Sequence, residues 1–391
     1  MHRQLPQCIT PLHEASPSVQ QLEQLLSRSL SLRILNIPDP PCEAGGDHAP
    51  TTKLAVLFSG GLDCTVLARM THDIVPLTEA IDLLNVAFEN PRIHKGNSTG
   101  GDDVDNAYEL CPDRITGRAS HAELQRVCPG RQWRFIAINV PYRETLEHRQ
   151  RVITLMHPHN TEMDLSISSA LYFAARGIGV YSQDGTAIPY KTSARVLLSG
   201  LGADELLGGY QRHATAYNRK GFSGLLDELE LDLSRLGKRN LGRDDRVISN
   251  WAREARFPYL DEQLLTWALA APVAEKCGFG EPAGDGSDAV EEGSARLEPG
   301  KKVLRCLAWK LGMRDVAREK KRAVRLHIRE PRRVPSFFAD MSHRSNSERA
   351  RPRWKQARPK ARTSCRRVPR RSQHRYVHTT SFLIEYFPRI P

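Results

Sequence analysis

The chain has no apolar run long enough to cross a membrane, and its opening residues, Met1-His2-Arg3-Gln4-Leu5-Pro6, lack the apolar core of a secretory signal. Its eight cysteines, at 8, 42, 64, 111, 128, 277, 306 and 365, form no Cys-x-x-Cys pair and no metal-ligand spacing. They are expected to be reduced and mostly buried thiols. There are no internal repeats, and no phosphate loop of the Gly-Lys-Ser/Thr kind. These absences argue against a membrane span, a disulfide scaffold and a zinc site, and point to a cytoplasmic protein. The charge is one-sided only at the C-terminal end. Residues 325–391 hold sixteen Arg and two Lys against four acidic residues, a net of +14; against the whole chain's +12 that leaves −2 for residues 1–324. The basic tail has many prolines and no sustained periodicity, which predicts disorder, and the nearly neutral remainder offers nucleic acid no basic surface.

What is present begins at residue 54. The run Leu54-Ala-Val-Leu-Phe58 is short and apolar enough for a buried strand. It ends in Ser59-Gly60-Gly61-Leu62-Asp63, after which Val66, Leu67 and Met70 recur at helical spacing. A strand, a Gly-rich turn and a helix N-terminus place backbone N–H groups around one point, a nest for phosphate. Asp63 beside the nest would repel phosphate unless a cation lay between, so the motif reads as a site for Mg²⁺-bound ATP. The plainer alternative is a βα turn that is merely rich in glycine. The same grammar recurs at Arg195-Val-Leu-Leu-Ser199-Gly200-Leu201-Gly-Ala-Asp204-Glu205. Asp204 and Glu205 could simply cap a helix. Two acidic strand-end turns, however, are better explained by Asp63 and Asp204 sharing one Mg²⁺ at the edge where open α/β sheets bind ligands.

Six ordered motifs carry a family resemblance: Phe58-Ser-Gly-Gly-Leu-Asp63, Asp82-Leu-Leu-Asn-Val-Ala-Phe88, Pro158-His-Asn-Thr-Glu-Met-Asp-Leu-Ser166, Leu198-Ser-Gly-Leu-Gly-Ala-Asp-Glu205, Arg256-Phe-Pro-Tyr-Leu-Asp261 and Lys301-Lys-Val-Leu-Arg305. Over residues 18–324 the chain resembles the synthetase domain of the asparagine synthetases. The resemblance implies an α/β fold of the adenine nucleotide alpha-hydrolase type, a parallel sheet flanked by helices. It implies carboxylate adenylation by Mg-ATP, release of pyrophosphate, and attack by ammonia to give asparagine and AMP. On matched positions, the backbone of Phe58 and Val86 would meet the adenine. Ser59, Gly60, Gly61, Ser199 and Gly200 would cradle phosphates and ribose, and Asp63 and Asp204 would hold Mg²⁺. Lys301 would stabilise the pentavalent phosphorus; the bland reading is a solvated lysine at a helix start, next to Lys302.

Two departures stand out. The synthetases carry Glu directly after the second Ser-Gly, where this chain has Leu201, which can neither accept a proton nor orient ammonia. Glu205 lies four residues on and Glu162 in the loop near the expected acceptor site, and neither is an obvious substitute. The segment Glu162-Met-Asp-Leu-Ser166 also differs from the synthetases' Thr-Thr-x-Arg-Ala-Ser type of loop, so the expected acceptor is left open between aspartate and another carboxylate. A member that binds ATP and acts through partners without making asparagine is the alternative. The amidotransferases of the family open with a cysteine-led glutaminase domain; here Cys8 is internal, and residues 1–52 are expected to be only a lead-in and linker. That leaves ammonia as nitrogen donor, free or supplied by a separate glutaminase or partner protein.

The pattern predicts strands near 54–58, 81–88, 133–140 and 194–199, and helices over 19–33, 145–156, 163–176 and 222–239. The synthetase-like domain is expected to span 53–324, with loops at 39–52 and 278–300, the latter a disordered acidic insertion. After Val324 the family pattern is expected to fail where the composition changes, as an alternative or mis-spliced reading frame would cause, with a natural nucleic-acid-binding arm as the rival explanation.

Overall fold

The computed structural model describes residues 2–3, 9–39, 52–90, 107–183, 185–282 and 297–320. The expected loop residues 40–51, the acidic stretch 283–296 and the tail 325–391 lie outside the described residues. Seven strands form one sheet: β1 (Leu54–Leu57), β2 (Ile81–Phe88), β3 (Trp133–Val140), β4 (Ile178–Gln183), β5 (Thr186–Lys191), β6 (Val196–Leu198) and β7 (Glu254–Arg256). Their order is β5-β4-β3-β2-β1-β6-β7. Pairing is parallel from β3 across to β7, and antiparallel from β3 to β4 and from β4 to β5. The sheet is therefore mostly parallel, with an antiparallel hairpin added at one edge.

Alternation along β1 explains why it reads as an unbroken apolar run. Leu54, Val56 and Phe58 pack into one core, together with the helices Pro17–Ile34, Leu62–Ile74 and Lys302–Lys310. Ala55 faces the other core, which holds the helices Tyr142–Met156, Glu162–Arg176 and Gly242–Ser249. Both faces are covered, as parallel sheets require. The helix Pro17–Ile34 starts with proline in its first turn and buries Val19, Leu22, Leu26 and Leu30 at helical spacing. No described helix is long and apolar enough to cross a membrane. Of the described cysteines, 64, 128, 277 and 306 are buried free thiols and 111 is half-buried.

Three sequence expectations need adjustment. The helix expected over 222–239 is the second part of Gln211–Leu236, which breaks at Gly221 (φ 63°, ψ −151°) and passes into a π-helical turn over Gly237–Leu241. Gly221 allows the break because it carries no Cβ to clash at positive φ. The hairpin β4–β5 was not anticipated, since its residues are half-exposed and lack an apolar run. The described edges of the 278–300 loop are packed: Phe279 is buried and Glu281 takes the ammonium of buried Lys302.

One topological feature positions the site. From β1 the chain lays β2 and β3 on one side, then returns to place β6 and β7 on the other. With Val56 opposite Leu198, the turns after β1 and β6 leave adjacent parallel strands at the same end. A reversal of this kind opens a crevice at the carboxyl ends of the strands.

Candidate functional site

Each of the two turns is shaped by a serine and a strained glycine. After β1, Ser59 Oγ accepts from Gly61 N at 3.4 Å, and Gly60 sits at φ +81°. After β6, Ser199 Oγ accepts from Leu201 N at 3.3 Å, and Gly202 sits at φ +103°. Helices begin directly behind them, Leu62–Ile74 with Asp63 in its first turn and Ala203–Leu207 with Asp204 in its first turn. The turns touch: a Cβ on Gly200 would lie 2.9 Å from Asp63 Cβ. Tyr259, from the Arg256–Asp261 motif, donates its hydroxyl to Asp63 O at 3.1 Å and braces the same spot.

The third element arrives from 238 residues along the chain. Lys301, only 3% exposed, donates Nζ to both carboxylate oxygens of Asp63 at 2.7 and 2.9 Å, and lies 2.9 Å from Asp204 Oδ1. It occupies the N-cap of Lys302–Lys310 in left-handed conformation (φ 55°), a backbone state that costs a non-glycine residue roughly 1 kcal/mol or more. The turn is held by Lys301 N donating to Leu207 O at 3.0 Å and by Arg305 Nε donating to Gly300 O at 2.9 Å. Gly209 supplies the space, since a Cβ there would run into the Asp204 carboxylate and the Lys301 stem. Burial opposes the ammonium, but Asp204 and Asp63 outweigh it and hold the Lys301 pKa above its ordinary value. Lys302 points elsewhere, into its pair with Glu281, so the adjacent lysines have separate tasks.

The other expected site residues distribute as follows. Phe58 is buried; its N–H donates to Leu84 O at 2.9 Å and its carbonyl accepts from Asn85 Nδ2 at 2.9 Å. Val86 is half-buried on the neighbouring strand. Leu201 is half-buried at the turn where the synthetases carry Glu. Glu205 is not poised to replace that carboxylate, because it is buried and accepts from Tyr210 Oη at 2.6 Å and Asn240 Nδ2 at 3.2 Å. Glu162 and Met163 are exposed at the start of Glu162–Arg176, whereas Asp164 is buried against Arg243 at 2.7 Å. Arg243 also pairs with Asp244 at 2.8 Å. Asp164 thus stands where the synthetase loop carries Arg, and a guanidinium from another helix answers its charge.

The donor set fits a magnesium ion. Asp63 and Asp204 present hard oxygens to one point, where the Lys301 ammonium stands between them; the three groups together carry a charge of −1. Among the described residues no cluster of three or more His, Cys, Asp or Glu could hold a metal unaided. Mg²⁺ takes one or two protein carboxylates and completes its shell with phosphate oxygens and water, which suits a two-carboxylate site. Sequence reasoning missed Asn85, Gly117 and Ser120, which lie against the first turn. The available signal was one asparagine inside the apolar run of β2.

The asparagine synthase family model matches residues 223–360. Asparagine synthetase domain-containing protein 1 of Gallus gallus is 39% identical over 342 residues, covering 80% of this chain and 51% of that protein. The Homo sapiens protein of the same name is 36% identical over 341 residues, with the same coverage of 80% and 51%. A shorter match, 35% over 88 residues, links 22% of this chain to 15% of asparagine synthetase B [glutamine-hydrolyzing] of Escherichia coli. The chain spans about half the length of the first two relatives. Over four-fifths of its own length the chain is similar to the asparagine synthetase domain-containing proteins, and its residues 223–360 match the asparagine synthase family model.

Proposed function

We propose that the chain is an ATP-dependent, amide-forming ligase of the asparagine synthetase type, with an adenine nucleotide alpha-hydrolase-like fold. The observation that carries this reading is the meeting of Asp63, Asp204 and Lys301 at two adjacent strand-end turns. The Ser59–Gly61 and Ser199–Gly200 turns would hold the phosphates and ribose, and the adenine would lie along the backbone at Phe58 and Val86. Asp63 and Asp204 would hold Mg²⁺, which when bound neutralises the departing pyrophosphate. An acceptor carboxylate oxygen forms a bond to the α-phosphorus as the bond from that phosphorus to the β-phosphate oxygen breaks. Lys301 places its ammonium where negative charge gathers on the α-phosphate oxygens. Ammonia then bonds to the acyl carbon, the carbon–oxygen bond to AMP breaks, and the nitrogen sheds a proton. The acceptor is aspartate or another carboxylate, and a separate glutaminase or partner protein is the natural source of ammonia. Reduced, buried cysteines suit a cytoplasmic enzyme.

A second reading rests on Leu201. Leu201 offers no carboxylate at its own position to take the ammonia proton, and Glu205 is committed to Tyr210 and Asn240. A chain that binds Mg-ATP and acts through partners without forming the amide would look the same. ATP–pyrophosphate exchange by the full chain across a panel of amino acids separates the two. Exchange with any acceptor supports the ligase; Mg-ATP binding without exchange supports the second reading; neither binding nor exchange sinks both.

A further inference from the structure

A nest of backbone N–H groups works only if the carbonyls of the same peptides point away and are satisfied elsewhere. In a trans peptide the carbonyl of one residue and the N–H of the next point in opposite directions. Fixing the carbonyls of Phe58 and Gly60 therefore fixes where the N–H groups of Ser59 and Gly61 point. Two side chains from outside the loop do this. Asn85, fully buried on β2, donates Nδ2 to Phe58 O at 2.9 Å and to Asp113 O at 3.0 Å. Its orientation is forced, since Arg114 Nε donates to its Oδ1 at 2.7 Å and leaves only the amide nitrogen for the carbonyls. Ser120, buried on the helix Pro112–Val127, donates Oγ to Gly60 O at 2.6 Å.

The packing leaves no room for another arrangement. A Cβ on Gly60 would lie 2.5 Å from Gly117 Cα, and a Cβ on Gly117 would lie 2.5 Å from Asn85 Nδ2. The helix therefore presses directly on the loop backbone. Between Gly60 and Gly61 no side chain resists rotation, so this peptide is the one best able to flip. A flipped peptide would present the Gly60 carbonyl where the Gly61 N–H belongs, and oxygen would face phosphate oxygen.

We infer that Ser120 and Asn85 are positioning residues for phosphate recognition, tethering the Gly60 and Phe58 carbonyls so that the N–H groups of the Ser-Gly-Gly turn point to the anion's side, where Gly61 N–H now meets Ser59 Oγ at 3.4 Å and would exchange it for phosphate. This rests on the nucleotide reading of the same turn. The Ser120 tether, on the Gly60 carbonyl, serves phosphate and not adenine, and that sets the test. Binding of Mg-ATP, Mg-pyrophosphate and adenosine is measured by calorimetry for the full chain and for Ser120→Ala. The expected result is a loss of about 10- to 100-fold for ATP and pyrophosphate, the worth of one hydrogen bond to a charged group. Adenosine affinity stays within about twofold, because it uses no phosphate contact. Unchanged ATP and pyrophosphate affinity overturns the inference, and so does an equal loss for all three ligands, which would mark mere helix docking. If Ser120→Ala does not fold, Ser120→Cys, similar in shape but a weak donor, takes its place. If the wild-type chain binds neither ATP nor pyrophosphate, the nucleotide reading itself falls, and the wild-type measurement alone reveals it.

Discussion

Replacing Lys301 by Met tests the centre of the site. The substitution keeps most of the stem and removes the one cation between two carboxylates. Their oxygens then face each other across no more than the two Nζ arms of 2.7 and 2.9 Å laid end to end. Removing one member of a buried ion cluster costs about 3–5 kcal/mol, chiefly because the charge left behind stays desolvated. At neutral pH the variant should therefore unfold at clearly lower denaturant. Lowering the pH should narrow the gap, because a proton on either carboxylate replaces the missing ammonium. In the wild type the sign is opposite at the alkaline end. The Lys301 pKa is raised on folding, so its contribution is complete below about 10.5, the ordinary lysine value, and is lost as the pH climbs through the folded one. A ligand that binds only the folded state stabilises it. Millimolar Mg²⁺ should accordingly raise the melting temperature of Lys301→Met more than that of the wild type, where the ion competes with the ammonium. Pyrophosphate exchange should be lost in the same variant. A penalty under about 1 kcal/mol at pH 7, or a larger one that Mg²⁺ leaves untouched, would refute the reasoning.

Asp63→Ala should abolish Mg-ATP binding in calorimetry while circular dichroism still reports a folded chain; unchanged affinity would sink the assignment. Leu201→Glu should increase ammonia-dependent asparagine formation, since a missing acid–base group typically costs about 10²–10⁴-fold. AMP and asparagine are measured together, and if both proteins bind Mg-ATP yet make neither product, Leu201 is not the limiting defect. Asp244 has its carboxyl pushed up by burial to about 6, despite Arg243 beside it. Its folded pKa exceeds the unfolded one, so this group lowers stability as the pH rises through that interval. Asp244→Asn should flatten this decline between pH 4 and 7, read from denaturant curves at the two pH values; an identical pH profile in both proteins would contradict it.

How much of this was legible in the sequence varied with the kind of residue that carries each element. The strands β1, β2 and β3 announce themselves because both their faces are buried, so most of their positions are apolar. The hairpin β4–β5 lies at a sheet edge, half-exposed, and its Ile178 and Tyr190 do not form a run. The helix Pro112–Val127 was missed for a different reason: much of what it buries is polar, including Arg114, Ser120 and Glu123. Apolar periodicity is blind to a helix whose buried face is held by hydrogen bonds. At the site, the two Ser-Gly turns and their aspartates could be read locally. Lys301 is told from Lys302 in the sequence only by the family match, because the physical distinction lies in what each ammonium meets across the fold, Asp63 and Asp204 for one and Glu281 for the other.

The late position of Lys301 has a consequence for how the protein is made. Asp63 and Asp204 emerge from the ribosome long before the lysine that sits between them. The helix Lys302–Lys310 emerges with that lysine, and it packs in the same core as the helix Pro17–Ile34, with Lys310 Nζ reaching Glu23 at 2.5 Å. Until residues 301–310 are synthesised, Val19, Leu22, Leu26 and Leu30 lack part of their cover, and the paired aspartates lack their cation. The nascent chain must wait with an apolar helix bare and a charged cleft uncompensated, the state in which aggregation and chaperone capture compete with folding. One event ends both exposures, because the helix that caps the first apolar surface carries the lysine at its N-cap. On the proposed function, nucleotide binding would come only once Lys301 is in place, and a sensor of bound ATP would then report the docking of this helix as well as the nucleotide.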